Sequence, residues 1–206
     1  MSKSNYKRNV FINCPFDNEY LEFRNATVFT IFYCGFIPRC ALEVDNGSDV
    51  RMTKIAELIR ESKLGVHDIS RTELDEACLL PRFNMPLELG VFFGAIFFGS
   101  PLHKEKSCLI LDRERHRYQK YISDIGGQDI HSHDNKIDRL IKCLRDWLSY
   151  HTENGKMLPG GNKIASKLIE FQVVLPEMCV HEGINQDEIT FNDYSQFVSR
   201  WLVSNG

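Results

Sequence analysis

The sequence predicts an α/β protein in which a parallel sheet of four to five strands is covered by helices on both faces. Up to about Asp134, short apolar segments alternate with segments whose apolar residues recur at helical spacing. The predicted strands are apolar along most of their length, as expected for strands that are buried on both faces. Of the 206 residues, 43% are hydrophobic and 26% are charged, which excludes general disorder.

The boundaries of these elements follow from residues that end strands or helices. The first strand stops at Pro15, because proline lacks the N–H that a central strand donates, and Gly35 ends the first helix. Residues 45–49, Asp-Asn-Gly-Ser-Asp, have turn chemistry. The predicted elements are a strand that starts at residue 9 and stops at Pro15, helix 19–33, strand 36–44, helix 50–61, strand 62–69, helix 86–98, strand 107–112, helix 118–125 and strand 128–131.

The C-terminal part is predicted to be helical. Its helices cover residues 136–151, residues 162–175 and a last segment capped by Asn192, with a Leu-Pro-Gly-Gly breaker before the second of them. We therefore divide the chain into an α/β domain, residues 1–153, and a C-terminal helical subdomain, residues 154–206.

The composition restricts the cellular compartment and the kinds of binding partner that we expect for this chain. The formal net charge is −3, so the chain has no net positive field to hold a nucleic acid non-specifically. The seven cysteines form no CxxC pair, and most lie in apolar runs, as free thiols in a reducing compartment do. The most apolar stretch, residues 87–102, is shorter than the about 20 residues of a bilayer span. We expect it to be a buried helix, and we expect a cytoplasmic protein without membrane contact or signal peptide.

Glu88 is the strongest candidate for chemistry, because it is the single charge in an otherwise apolar helix. Pro86 suits the first position of that helix, which places Glu88 near the third. The helix dipole and the free N–H groups there favour an ionised carboxylate, which suits a nucleophile or a cation stabiliser more than a general acid. The alternative is that Glu88 only caps its own helix, although the usual Ser or Thr partner is missing.

Other polar residues lie where the predicted strands end, the edge at which open α/β sheets bind ligands. Asp68 ends the third strand and could instead bond its own loop backbone, and Asn13 could be an Asx-turn residue. His131 and His133 are spaced like metal ligands, but no second cluster matches them, so we expect a solvated loop and no metal. Cys14 is expected to be a buried, inert thiol. No glycine-rich phosphate loop is present.

Three segments resemble the nucleoside 2-deoxyribosyltransferase-like and TIR-like group of proteins. They are Val-Phe-Ile-Asn-Cys-Pro-Phe at 10–16, Val-His-Asp-Ile-Ser at 66–70, and Asn-Met-Pro-Leu-Glu-Leu-Gly at 84–90 with Ala95. The resemblance covers about residues 9–115 and implies a flavodoxin-like, doubly wound sheet. It also implies cleavage of an N-glycosidic bond in a nucleoside or in NAD, with the nucleotide as substrate and no separate cofactor. The loop before the glutamate helix is longer and more basic here than in the group.

The resemblance implies a role for each site residue. Glu88 matches the nucleophile position, and Asp68 matches an aspartate that could orient the ribose hydroxyls or the leaving base. Asn13 and Phe16, with Pro15 between them, match the loop that lines the base pocket. Further substrate-binding candidates are arginines for phosphates, aromatic rings for stacking and polar groups at the ends of elements: Arg39, Arg71, Arg82, Tyr118, Ser70 and Asn84.

The same resemblance implies a homo-oligomer and a context of bacterial defence or signalling. The alternative function is a non-catalytic nucleotide-sensing or protein-interaction module of the same fold, with the C-terminal helices as the surface for a protein partner. A response-regulator-like switch is disfavoured, because Asn13-Cys14 supplies no acidic cluster after the first strand. The enzyme hypothesis predicts that Glu88 faces an open pocket and that Asp68 reaches the same ligand.

Overall fold

The computed structural model describes residues 3–44, 46–48, 50–72 and 81–206. Within them, five strands form one parallel sheet: β1 (Asn9–Asn13), β2 (Ile37–Cys40), β3 (Leu64–Asp68), β4 (Ser107–Asp112) and β5 (Ile130–Ser132). Their order across the sheet is β2-β1-β3-β4-β5, and every neighbouring pair is parallel. This is the flavodoxin-like, doubly wound order, so the predicted fold class is confirmed.

Eight α-helices accompany these strands in the described residues. They are α1 (Lys3–Tyr6), α2 (Leu21–Tyr33), α3 (Arg51–Glu61), α4 (Asn84–Phe98), α5 (Pro101–Lys104), α6 (Ile137–Ser149), α7 (Gly161–Glu182) and α8 (Phe191–Asn205). Short 3-10 turns cover Asn18–Tyr20, Ala41–Glu43, Arg117–Lys120, Ser123–Ile125, Glu153–Gly155 and Gln186–Glu188.

Alternation along the strands sends side chains into apolar cores on both faces of the sheet. Val10 and Ile12 of β1 face the larger core, which α2 and α6 cover. Phe11, between them, faces the opposite side and packs in a core with Ile55 of α3 and Phe92 of α4. Successive side chains of a strand point to opposite faces, so a strand that is apolar throughout needs helices on both sides.

The C-terminal helices complete the larger core. Phe171 of α7 and Trp201 of α8 both pack against Phe29 of α2, with ring centroids 5.6 and 6.0 Å away. The two rings lie 5.7 Å from each other. Residues from both sides of the predicted domain boundary therefore share one apolar core.

Several predicted boundaries were wrong by a few residues. Helix α4 begins at Asn84 rather than Pro86, and Pro86 is its third residue. Proline is tolerated there because the N–H groups of the first turn have no partner inside the helix. Strand β2 ends at Cys40 rather than at Val44, because a 3-10 turn closed by the Glu43 carboxylate follows.

The helical segments near the C-terminus also differ from the prediction. Helix α7 continues through Pro176 to Glu182. Thr190, not Asn192, caps α8, because its hydroxyl accepts the Asp193 N–H in a capping box. The predicted helix 118–125 is replaced by two short 3-10 turns.

Some predictions fall outside the described residues. They are the turn positions Asp45 and Asp49 and most of the loop before α4, residues 73–80, which includes Cys78. The six described cysteines are free thiols, and four of them are buried. Among the described residues, none of the helices combines the length and the apolar composition needed to span a bilayer.

The apolar stretch 87–102 is only half buried, contrary to expectation. Its inner face, with Leu89 and Phe92, is in the core. Its outer face leaves Leu87, Phe97 and Phe98 largely in solvent. Helix α4 is therefore not amphipathic, because it is apolar on the side that faces solvent as well as on the side that faces the core.

Candidate functional site

The candidate site lies at the carboxyl edge of the sheet, between β1 and β3. These strands are neighbours, and the chain leaves them toward opposite faces of the sheet, which makes their carboxyl ends the switch point where doubly wound folds bind ligands. Asn13 is the last residue of β1, and Asp68 is the last residue of β3. The first turn of α4 lies over the same edge.

Asn13 anchors the start of α4. Its side-chain amide donates to the Met85 carbonyl at 2.8 Å and to Nδ1 of His67 at 3.0 Å. Burial lowers the pKa of His67 to about 3, so the imidazole is neutral and accepts through Nδ1. Asn13 itself is 2% exposed. One contact holds the start of α4 and the other holds His67 of β3, and Asn13 is not among the described residues that line the cavity in front of it.

Glu88 faces a cavity of about 380 Å³ in front of this edge. The described lining residues come from the loop after β1, from the N-terminus of α3 and from the start of α4: Cys14, Pro15, Phe16, Asp17, Arg51, Arg82, Asn84, Met85 and Glu88. Only 6% of Glu88 is exposed, and among the described residues none donates a hydrogen bond to its carboxylate. The predicted set of Pro15, Phe16, Asn84 and Glu88 is thus brought together.

The charge state of Glu88 differs from the sequence prediction. Burial raises the pKa of Glu88 to about 7, and the nearby Arg51 guanidinium opposes that rise. Because α4 begins two residues earlier than expected, Glu88 is its fifth residue, beyond the first turn where free N–H groups stabilise a negative charge. The carboxyl group therefore loses its proton near neutral pH rather than in the acidic range that a stabilised carboxylate would show.

Two arginines and an aromatic ring line the same cavity as the Glu88 carboxyl group. The Arg51 guanidinium lies 5.7 Å from the centre of the Phe16 ring, which is a cation–π distance. Arg82 pairs with Asp17 at 3.2 Å. The cavity therefore combines a flat apolar surface, guanidinium groups and one carboxyl group that is short of hydrogen-bond donors.

Asp68 is held inside a buried hydrogen-bond network. Its Oδ2 accepts from the Tyr20 hydroxyl at 2.5 Å, and its Oδ1 accepts from the Ser70 N–H at 2.9 Å. Nε2 of His133 lies 3.2 Å from Oδ2. Burial alone would raise the pKa of Asp68, but the contacts with His133, Ser70 and Tyr20 together outweigh it, and the pKa is lowered.

The enzyme hypothesis predicts that Glu88 and Asp68 reach the same ligand, but in this structure Asp68 does not line the Glu88 cavity. Asp68 is 1% exposed, and it is not among the described residues that line the Glu88 cavity. Its two oxygens are occupied by the protein. The local alternative, a bond to its own loop backbone, is present in the Ser70 contact.

His133 is buried, so the expectation of a solvated loop was wrong for it. It is 1% exposed, and its Nδ1 accepts the Asn135 N–H at 3.1 Å. Because Nδ1 accepts this hydrogen bond, Nε2 carries the ring N–H, and Nε2 is the nitrogen that faces Asp68. In the part of the chain that the structure describes, no group of histidine, cysteine and acidic residues is arranged to hold a metal.

A second cavity of about 290 Å³ lies beside the residues that contact Asp68. Ser70 and Arg71 line it, together with Tyr20 and His133. Arg71 pairs with Glu19 at 2.7 Å and with Asp17 at 3.4 Å. Asp17 also lines the Glu88 cavity and pairs with Arg82 there, so its carboxylate forms an ion pair with one arginine from each cavity.

The remaining predicted residues lie apart from the Glu88 cavity. Arg39 pairs with Glu43 at 3.0 Å and with Glu61 at 3.3 Å, and it is not among the described lining residues. Tyr118 is buried in an apolar cluster with Ile69 and Met85. Cys14 touches the cavity, but burial raises the pKa of its thiol well above the usual range, as expected for an inert cysteine.

Comparison of the chain with protein-family models and with curated proteins found no match. The site is therefore assigned from its geometry. Two of its features were not singled out from the sequence: Arg51, the first residue of α3, and the Tyr20–His133 pair around Asp68. A single arginine at a helix start or an aromatic residue at helical spacing carries no local signal of function.

Proposed function

We propose that this protein cleaves the N-glycosidic bond of a nucleotide or nucleoside in the Glu88 cavity. One observation carries the proposal: a buried carboxyl group faces a cavity at the switch point of the sheet and accepts no hydrogen bond from the described residues. A group in that state is costly to keep unless a ligand compensates for it.

The reaction asks for a negative charge next to a sugar carbon. As the C–N bond breaks, the base leaves with the bonding electrons and positive charge develops on the sugar ring. Ionised Glu88 either bonds the anomeric carbon or stabilises that charge. Water then supplies a hydroxyl group to the sugar, and its proton goes to solvent or to the departed base. A nucleoside acceptor in place of water would give transfer instead of hydrolysis.

The rest of the cavity fits the other parts of a nucleotide. The Phe16 ring offers a face for the base. The Arg51 guanidinium donates no hydrogen bond to any described residue and could bind a phosphate through its planar fork. In this proposal Asp68 is a positioning residue, because it acts through Tyr20 and the Ser70 backbone rather than on the substrate.

The first test is a panel of substrates. Purified protein is incubated with NAD, with the common nucleosides and with their monophosphates, and the released base is followed by chromatography. We expect release from at least one phosphate-bearing compound and slower release from the matching nucleoside. If no compound releases its base at any protein concentration, the non-catalytic sensing module becomes the better hypothesis, and binding without turnover would support it directly.

The pH dependence provides a second prediction. Because the active form of Glu88 is the ionised one and its pKa is about 7, kcat/KM for base release is expected to rise with pH across about 6–8 and then to level off. Measurement of initial rates at fixed ionic strength checks this. A rate that falls through the same window would contradict the charge-stabilising role and would assign Glu88 as a general acid.

A further inference from the structure

The outward face of α4 carries a continuous apolar stripe, which we call the outer α4 stripe. It consists of Phe83, Leu87, Gly90, Gly94 and Phe97. These positions are four, three, four and three residues apart, which keeps them on one side of an α-helix. The inner side of the same helix is in the protein core.

The stripe is exposed and almost uncharged. Phe83, Leu87 and Phe97 are each more than half exposed, and Phe98 beside them is 89% exposed. From Phe83 to Leu102 the chain has a single charged residue, Glu88, and it is buried. Solvent-facing helix surfaces are normally rich in charged residues, so this side has the composition of a covered surface.

The size of the patch suits a protein interface. The exposed parts of Phe83, Leu87, Phe97 and the neighbouring Phe98 amount to roughly 500 Å², taking about 150–250 Å² for a whole aromatic residue. This is in the upper part of the range for the largest apolar patch on a monomer, about 300–600 Å². A standard interface takes about 800 Å² from each partner. The stripe therefore supplies most of the apolar centre of such an interface.

The glycines set the geometry at the middle of the stripe. A Cβ placed on Gly90 or Gly94 would meet no atom within 4 Å, so neither glycine is required by packing within the chain. Glycine in a helix interior is unfavourable by up to about 1 kcal/mol relative to alanine. Two such residues one turn apart allow another helix backbone to approach closely.

We propose that the outer α4 stripe is the self-association surface of this protein and that its occupant is the same stripe of a second copy. A two-fold axis through the point between Gly90 and Gly94 places Leu87 of one copy opposite Phe97 of the other, and the reverse contact follows by symmetry. The lack of charge favours this occupant, because homodimer interfaces are the more apolar class and interfaces between different proteins are more polar.

The inference does not depend on the proposed reaction, and sedimentation equilibrium tests it. The full chain, at about 0.5 to 100 µM, is expected to show a monomer–dimer equilibrium. Gly90→Glu adds a charge at the axis but leaves the fold unchanged, because its side chain has open space in the monomer. We expect it to raise the dimer dissociation constant at least tenfold. The matched control is Gly160→Glu, a change at another glycine whose Cβ would meet no atom.

A second variant, with two substitutions, tests the interface without adding a charge. Gly90→Ala with Gly94→Ala adds two methyl groups, which should raise the melting temperature of the monomer through helix propensity and weaken the dimer through loss of close approach. A chain that is monomeric over the whole range would overturn the proposal. So would a dimer that Gly90→Glu leaves intact, or sedimentation of the wild-type chain with phosphatidylcholine vesicles, which would assign the stripe to a lipid surface.

Discussion

The Glu88→Gln protein is expected to fold normally and to release base from the preferred substrate on the order of 10³-fold more slowly than the wild type, or worse. Glutamine has nearly the same shape but no negative charge at any pH, so it can neither bond the anomeric carbon nor stabilise an oxocarbenium-like transition state. The loss should be in kcat more than in KM, because the charge matters most when the C–N bond breaks. Single-turnover measurements with the substrate identified in the panel check this.

Glu177→Gln is the matched control for this variant. Glu177 is exposed on α7, away from the sheet edge, and the same chemical change there should leave kcat/KM unchanged. A Glu88→Gln protein that retains wild-type kcat would remove the carboxylate from the reaction and leave the cavity as a binding site only.

The Glu88→Gln substitution should also make the protein more stable at alkaline pH. The pKa of Glu88 is about 7 in the folded protein and 4.5 in the unfolded chain. Between these values the unfolded chain has lost a proton that the folded protein retains, so wild-type stability falls as pH rises through this window. Glutamine removes that cost. We expect Glu88→Gln to be about 1–3 kcal/mol more stable than the wild type at pH 8 and equally stable at pH 4, measured by urea unfolding.

A gain in stability with a loss of activity is the signature of a functional group that the fold alone does not favour. A residue that merely caps its own helix would show the opposite, because its replacement would remove a hydrogen bond. The stability measurement therefore separates the two hypotheses for Glu88 even if the substrate is not found.

Glu88 could be located from the sequence because it is an exception in its own segment. One charge in a run of apolar residues, near a proline that marks a helix start, is a local signal. The charge state could not be predicted in the same way. It depends on how far α4 extends toward its N-terminus and on how much of the carboxyl group the loop after β1 covers, and both are set by tertiary contacts.

The strands and their parallel arrangement were predictable for a similar reason, whereas the flavodoxin-like order of the sheet was implied only by the family resemblance. An apolar run such as Val10–Ile12 between polar residues is typical of a strand buried on both faces, and alternation with helices limits the topology. The environment of Asp68 was not predictable, because Tyr20 and His133 come from segments 48 and 65 positions away. His133 looks like a loop residue in the sequence. Its backbone N–H donates to the Asp112 carbonyl at 3.0 Å. This hydrogen bond continues the pairing of β5 with β4, and His133 is buried as a result.

Asp68→Asn is expected to destabilise the protein strongly at neutral pH. The amide oxygen can still accept the Ser70 N–H, but the new NH₂ group would face the Nε2–H of His133, which is also a donor, and the Tyr20 hydroxyl would have to change from donor to acceptor. Breaking one member of a buried charged network costs about 3–5 kcal/mol. For a chain of this size that lowers the melting temperature by roughly 6–20 °C. Tyr20→Phe, which removes a single hydrogen bond, should cost about 1–2 kcal/mol.

The pH dependence of this effect has a definite sign. The pKa of Asp68 is lowered in the folded protein, so its contribution to stability is fully present above the unfolded-state value of 3.8 and is lost as pH falls through the lower folded-state value. The difference between wild type and Asp68→Asn should therefore be large at pH 7 and shrink below pH 3, as followed by thermal unfolding across that range. A variant that melts like the wild type at pH 7 yet cleaves no substrate would contradict the positioning role, and would show that this carboxylate acts on the nucleotide itself.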